Sequence, residues 1–231
     1  MNESEVFNLL ATNKHERGIA NWHKLDDTQG LESFGIGLTK LRKLAKQIGK
    51  SHELALALWD SNNYDAKVIS LLIDEPKKIT QAQVEQQVEG LGIGLLTHVF
   101  SSCDATLAKA SFAFELAKQW RESDDSIRRQ CSYGLIYEFS KNKRHKHFTD
   151  DFFLECITLI EQQIAQENSS VRMAMAGALM GIGKRNLLLN TAAVKVAKVI
   201  GPISFGDGHC EPFNVLKHID NQKLIEKLNR K

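Results

Sequence analysis

The sequence predicts an all-α protein made of antiparallel helix pairs stacked side by side. Three observations carry this. Apolar residues recur at steps of three and four along most of the 231-residue chain, and no stretch alternates as a strand would. Only three prolines occur, Pro76, Pro202 and Pro212, so long stretches can stay helical. The connections between periodic stretches are short, which favours antiparallel neighbours.

The elements follow in order. Ser4 to Thr12 reads as a short helix carrying Val6, Phe7, Leu9 and Leu10. Residues 13–34, with Trp22 and His23, read as a loop or a second short helix. In LTKLRKLAKQI the stripe Leu38, Leu41, Leu44, Ala45 and Ile48 is apolar, and Lys40, Arg42, Lys43 and Lys46 take the other faces as a solvated surface. HELALALWD and YDAKVISLLID come next, the second ended by Glu75-Pro76. Thr80 caps QAQVEQQV. Residues 91–102 are apolar and glycine-rich. Helices are then expected at about 105–121, 124–141, 150–166, 169–183 and 190–200.

The stretch VRMAMAGALMGIGKRNLLLN, from Val171 to Asn190, is the clearest unit. Val171, Met175, Ala178, Leu179 and Ile182 form one helical face. Ala174, Ala176, Gly177 and Ala178 let another backbone approach. Gly183 ends the helix, Lys184 and Arg185 suit its negative end or a phosphate, and Asn190 or Thr191 caps the next helix. Such helix-turn-helix units fit degenerate repeats of about 40 residues, as in HEAT-like or ARM-type α-α superhelical solenoids. The tail from Gly201 to Lys231 changes character: a loop, GDGHCEP, then one or two short helices.

Composition is that of an ordinary soluble chain, 42% hydrophobic and 25% charged. A net charge of +2 argues only weakly for any partner, so a polyanion site requires basic residues gathered on one face. The four cysteines form no CxxC pair; Cys103, Cys131 and Cys156 sit in apolar helical contexts and read as reduced. No charged-then-apolar leader opens the chain and no apolar run reaches a membrane span, so a cytoplasmic location and no membrane partner are expected. His209 and Cys210 are adjacent and lack a second ligand pair, so no metal is expected, and the GLGIG and GIGKRN glycines follow no strand, so no nucleotide cofactor is.

Three blocks resemble the DNA alkylation repair (AlkD-like) family. Phe34–Thr80 looks like its opening repeats, DDSIRRQCSYGLIYEFS like its helix with a double arginine, and SSVRMAMAGALMGIGKRNLLLNTAAVKVAKVI like its late helix ending in IGKRN. The match runs from about Phe34 to Ile200. The resemblance implies one domain over 1–231, curved, with a concave basic face that holds duplex or branched DNA, and a divergent extension, 201–231, packed on the last repeat. Characterised members excise cationic N-alkylated purines, using an aspartate and two tryptophans in the cleft while an arginine holds the backbone.

Carried over position by position, the first tryptophan is matched by Gly94, the aspartate by His98, the second tryptophan by Gly177, and the arginine by Arg129. Histidine can orient water but supplies no permanent anion. The glycines remove the aromatic faces that attract a cation. Asp104 is the nearest other carboxylate and reads first as an N-cap.

Each feature also has an ordinary reading. His98 on an apolar face fits a satisfied buried histidine. Arg128 and Arg129 fit salt bridges, and Lys184 and Arg185 fit dipole partners. The run SKNKRHKHF, with Lys141, Lys143, Arg144, His145, Lys146 and His147, fits a solvated loop as well as a phosphate contact. Trp59 and Trp120 read as core. The function expected is a monomeric DNA-binding protein that recognises damaged or distorted DNA. An active glycosylase using His98 or Asp104, and a protein–protein scaffold, are the alternatives.

Overall fold

The computed structural model describes residues 1–204 and 211–230. Its helices divide between two compact units, Met1–Phe112 and Ala113–Lys231. Among the described residues no strand forms; two isolated bridges, Glu32 with Asn63 and Ile203 with Phe213, are the only extended pairings.

The first unit holds α1 (Glu3–Thr12), α2 (Glu16–Trp22), α3 (Leu38–Ile48), α4 (His52–Asp60), α5 (Tyr64–Ile73), α6 (Gln81–Val88) and α7 (Leu96–Ser101). α5 is its centre, touched by α1, α3, α4 and α7. Its residues are almost all buried, Asp65 included. That carboxylate accepts from Ser33 Oγ at 2.7 Å and from the amides of Phe34 and Ile36 at 2.8 and 3.0 Å. Burial raises its pKa, and three donors compensate. They fasten the irregular 31–36 segment to the core. Trp22 is also fixed here, its indole N–H donating to Leu31 O at 3.0 Å and its ring lying 4.6 Å from that of Tyr64.

The expected helix over 105–121 is interrupted. A 3-10 turn covers Leu107–Lys109, and Ala110 is extended before the next helix starts at Ala113. Ala105, Thr106, Leu107 and Ala110 are all buried, a pattern without helical period, and Thr106 Oγ1 accepts from Lys50 at 3.1 Å. Tertiary burial overrides local propensity here.

The second unit holds α8 (Ala113–Arg121), α9 (Ser126–Lys141), α10 (Asp150–Gln163), α11 (Ser169–Ile182), α12 (Leu187–Ile200), α13 (Leu216–Ile219) and α14 (Gln222–Asn229). α9 and α11 form the most intimate pair. Gly181 permits it: a Cβ there would stand 2.5 Å from Ser140 Oγ and 2.7 Å from the Tyr137 ring. α13 and α14 both rest on α12. The cap of α12 is Asn186, whose side chain accepts from Leu189 N at 2.9 Å, and not Asn190 or Thr191. Asn190 is buried inside the helix, where its amide donates to Gly183 O and Ile219 O. The tail does form two short helices; His209 and Cys210 lie outside the described residues.

Candidate nucleic-acid interface

In the second unit Arg128 and Arg129 stand at the start of α9, and Lys141, Lys143, Arg144 and Lys146 at and beyond its end. At its start Asp125 caps the helix through Ile127 N at 2.9 Å and pairs with Arg128 at 2.8 Å. Arg129 reaches instead to the segment before α11. Its Nε and Nη2 donate to the two oxygens of Glu167 at 2.7 and 2.8 Å, and Nη1 donates to Ser123 O at 2.7 Å. The hydrogen bonds to Glu167 raise the guanidinium pKa further. A cavity of about 330 Å³ opens beside the pair, lined by Arg121, Arg129, Glu167, Gln163 and Gln166 among others. Arg121 is buried, pairing with Glu155 at 2.6 Å and Glu122 at 3.1 Å.

The other end of α9 lies about 18 Å away, twelve residues at 1.5 Å each. There Lys141 pairs with Glu138 at 2.7 Å and lies over the Tyr137 ring. The loop that follows is exposed from Asn142 to His147. Arg144 N donates to Asn142 Oδ1 at 3.0 Å, an Asx turn, and Phe148 N donates to His145 O at 3.1 Å. Lys143 donates to Arg185 O. Arg144 and Lys146 make no side-chain ion pair among the described residues.

Arg185 is not at the surface. It is 7% exposed, with Nη1 donating to the carbonyls of Phe139, Ser140 and Asn142 and Nη2 to that of Phe148. Its guanidinium also lies over the Phe153 ring. Burial lowers its pKa. The side chain expected to meet phosphate therefore holds both ends of the basic loop from beneath. Lys184 next to it is exposed, and partial desolvation lowers its pKa. The segment that carries Lys141, Lys143, Arg144 and Lys146 is thus anchored on one internal arginine next to Lys184, whereas Arg128 and Arg129 lie at the other end of α9.

Gly177 lies on α11 with nothing near the place of a Cβ. In the first unit Gly94 differs. Its φ is +53°, and a Cβ there would lie 2.9 Å from the Tyr64 ring. The Tyr64 hydroxyl accepts from Leu95 N at 3.0 Å, so the phenol is locked under the 92–95 turn. His98 is exposed on the short helix α7, not buried as its apolar neighbours imply. Asp104 has a φ of +55° and pairs with Arg42, and the N-cap position of the following 3-10 turn is Thr106. Glu167 and Tyr64 carry no local sequence signal for these roles; their partners lie 38 and about 30 residues away.

Paired helices with short turns, and basic residues on turns and helix ends, define a helical-repeat protein of the HEAT-like kind. A sequence model of the DNA alkylation repair enzyme family matches residues 4–204, and the chain belongs to that family. A solved structure covers 100% of the chain and 95% of its own, with a TM-score of 0.80 and 19% identity. It represents a family related to the HEAT-like repeat DNA glycosylases with affinity for branched DNA structures. Uncharacterized proteins of Listeria monocytogenes and Listeria innocua are 26% and 24% identical, each over 84% of both chains.

Proposed function

We propose that this protein binds DNA through its sugar–phosphate backbone, recognises damaged or branched DNA by shape, and lacks the family's alkylpurine glycosylase chemistry. Position 94 carries the reading. The resemblance expects a tryptophan there, and Tyr64 occupies the place its Cβ would need. An aromatic face lies beneath the backbone instead of beside a cationic sugar. His98, where the aspartate is expected, offers no fixed anion to stabilise an oxocarbenium.

What remains suits phosphate. Arg129 has the planar fork that matches phosphate oxygens, and a phosphate there must displace Glu167 from it. Arg144, Lys146 and Lys184 supply exposed charge. The solved relative's affinity for branched DNA supports the same partner class. Binding of this kind reads deformability and groove shape and weakens steeply with salt.

The test is to incubate the protein with alkylated duplex and with a four-way junction, measuring retention and base release together. Retention without release is expected. The slope of log affinity against log salt should fall by about 1 for each of Arg144→Gln and Lys146→Gln. Release of methylated base that disappears in His98→Ala overturns the reading, as does failure to retain either DNA at low salt.

A further inference from the structure

The basic loop contains more than charge. Phe139, Phe148 and His145 form a stack of three nearly parallel rings. Phe139 and Phe148 lie 4.5 Å apart at 18°, and Phe148 and His145 4.2 Å apart at 22°. The column begins in the core, with Phe139 at 1% exposure and Phe148 at 7%, and ends at His145 on the surface. A second exposed imidazole, His147, stacks 4.9 Å from Phe114 at 20°.

The imidazole of His145 is held in place before any ligand arrives. Phe148 stacks on the ring, the His147 ring lies 5.6 Å away tilted by 42°, and Nδ1 accepts the amide of His147 at 3.4 Å. Arg185 fixes the loop at the carbonyls of Asn142 and Phe148. Ordinary solvated loops do not need their histidines ordered in this way. Arg144 and Lys146 flank the terminal ring, so polyanion attraction and a flat π surface coincide.

We propose that the His145 end of this stack is a docking point for an unpaired nucleobase of DNA, as found at a bulge, flap or branch. A base within duplex is already stacked on both sides and cannot use the ring. An unpaired base can extend the column by one step while its flanking phosphates meet Arg144 and Lys146. This rests on the DNA-binding reading above and adds the feature of distorted DNA that is recognised.

The test uses three probes at one low salt concentration: a paired duplex, the same duplex with one unpaired 2-aminopurine, and the same duplex with an abasic nucleotide at that place. Anisotropy reads affinity, and 2-aminopurine fluorescence reads stacking. The 2-aminopurine probe should bind about tenfold more tightly than the other two and be quenched, one base–ring stack being worth that much. His145→Ala should remove the preference and the quenching and keep duplex affinity, and His145→Phe should restore both. His145 is exposed, and a thermal melt of each variant shows whether the fold is kept.

Equal binding of the abasic and 2-aminopurine probes, or an unchanged preference in His145→Ala, overturns the proposal while the DNA-binding reading stands. If no probe binds, both fall.

Discussion

Glu167 grips Arg129 with both carboxylate oxygens, at 2.7 and 2.8 Å, and their side chains are only 11% and 21% exposed. The carboxylate occupies the donors that a phosphate would use. Glu167→Gln leaves a neutral amide, which holds a guanidinium less strongly. Duplex affinity should rise by about 3- to 10-fold at low salt, and the gain should vanish in Glu167→Gln combined with Arg129→Gln. Anisotropy titration measures it; unchanged affinity in the single variant would remove Arg129 from the interface.

Arg185 is expected to matter through stability. Arg185→Ala leaves the carbonyls of Phe139, Ser140, Asn142 and Phe148 without a shared donor group, at a cost of about 2–4 kcal/mol. Lysine, with one ammonium in place of a planar fork, should recover only part of this. Urea unfolding followed by circular dichroism tests both variants. Full stability in Arg185→Ala contradicts the clamp.

Gly94 and Gly177 should respond oppositely to substitution. At Gly94 the positive φ and the Tyr64 ring oppose any side chain, so Gly94→Trp should lower the melting temperature sharply. Gly177 is helical with open space around it, and Gly177→Ala should stabilise by about 0.5–1 kcal/mol. Gly177→Trp should fold. Calorimetry on the three variants decides.

Cys156 is fully buried on α10, 3.8 Å from Arg121 Nη1. Burial pushes its thiol up to about 12. Iodoacetamide at pH 8 should therefore leave Cys156 unlabelled until urea unfolds the chain, as read by peptide mass. The folded value lies above the unfolded 9.0, so the thiol favours the fold below about pH 9, and that contribution is lost as pH rises towards 12. Above pH 9 the wild type should lose melting temperature more steeply than Cys156→Ala.

Helix positions were largely legible along the chain because caps and periodicity are local. Thr80, Asp125, Thr149 and Asn168 each accept from an amide two or three residues on, and the apolar stripe of α3 is its buried face. Family membership was legible for the same reason, since it is written in consecutive residues. Local pattern misled where a polar group found a distant partner. Asn190 spends its amide on Ile219 and so leaves capping to Asn186, and Asp104, at a φ of +55°, turns to Arg42.

The sequence alone determined an all-helical chain, its family, and the loop that holds its densest run of basic residues. Only the tertiary structure decided which of those charges face water. Arg185 went inside because four carbonyls left by the ends of α9 and its loop converge on it, and Arg129 turned to Glu167, 38 residues on. A side chain's partner is set by packing between helices, and packing joins residues whose separation no local pattern records.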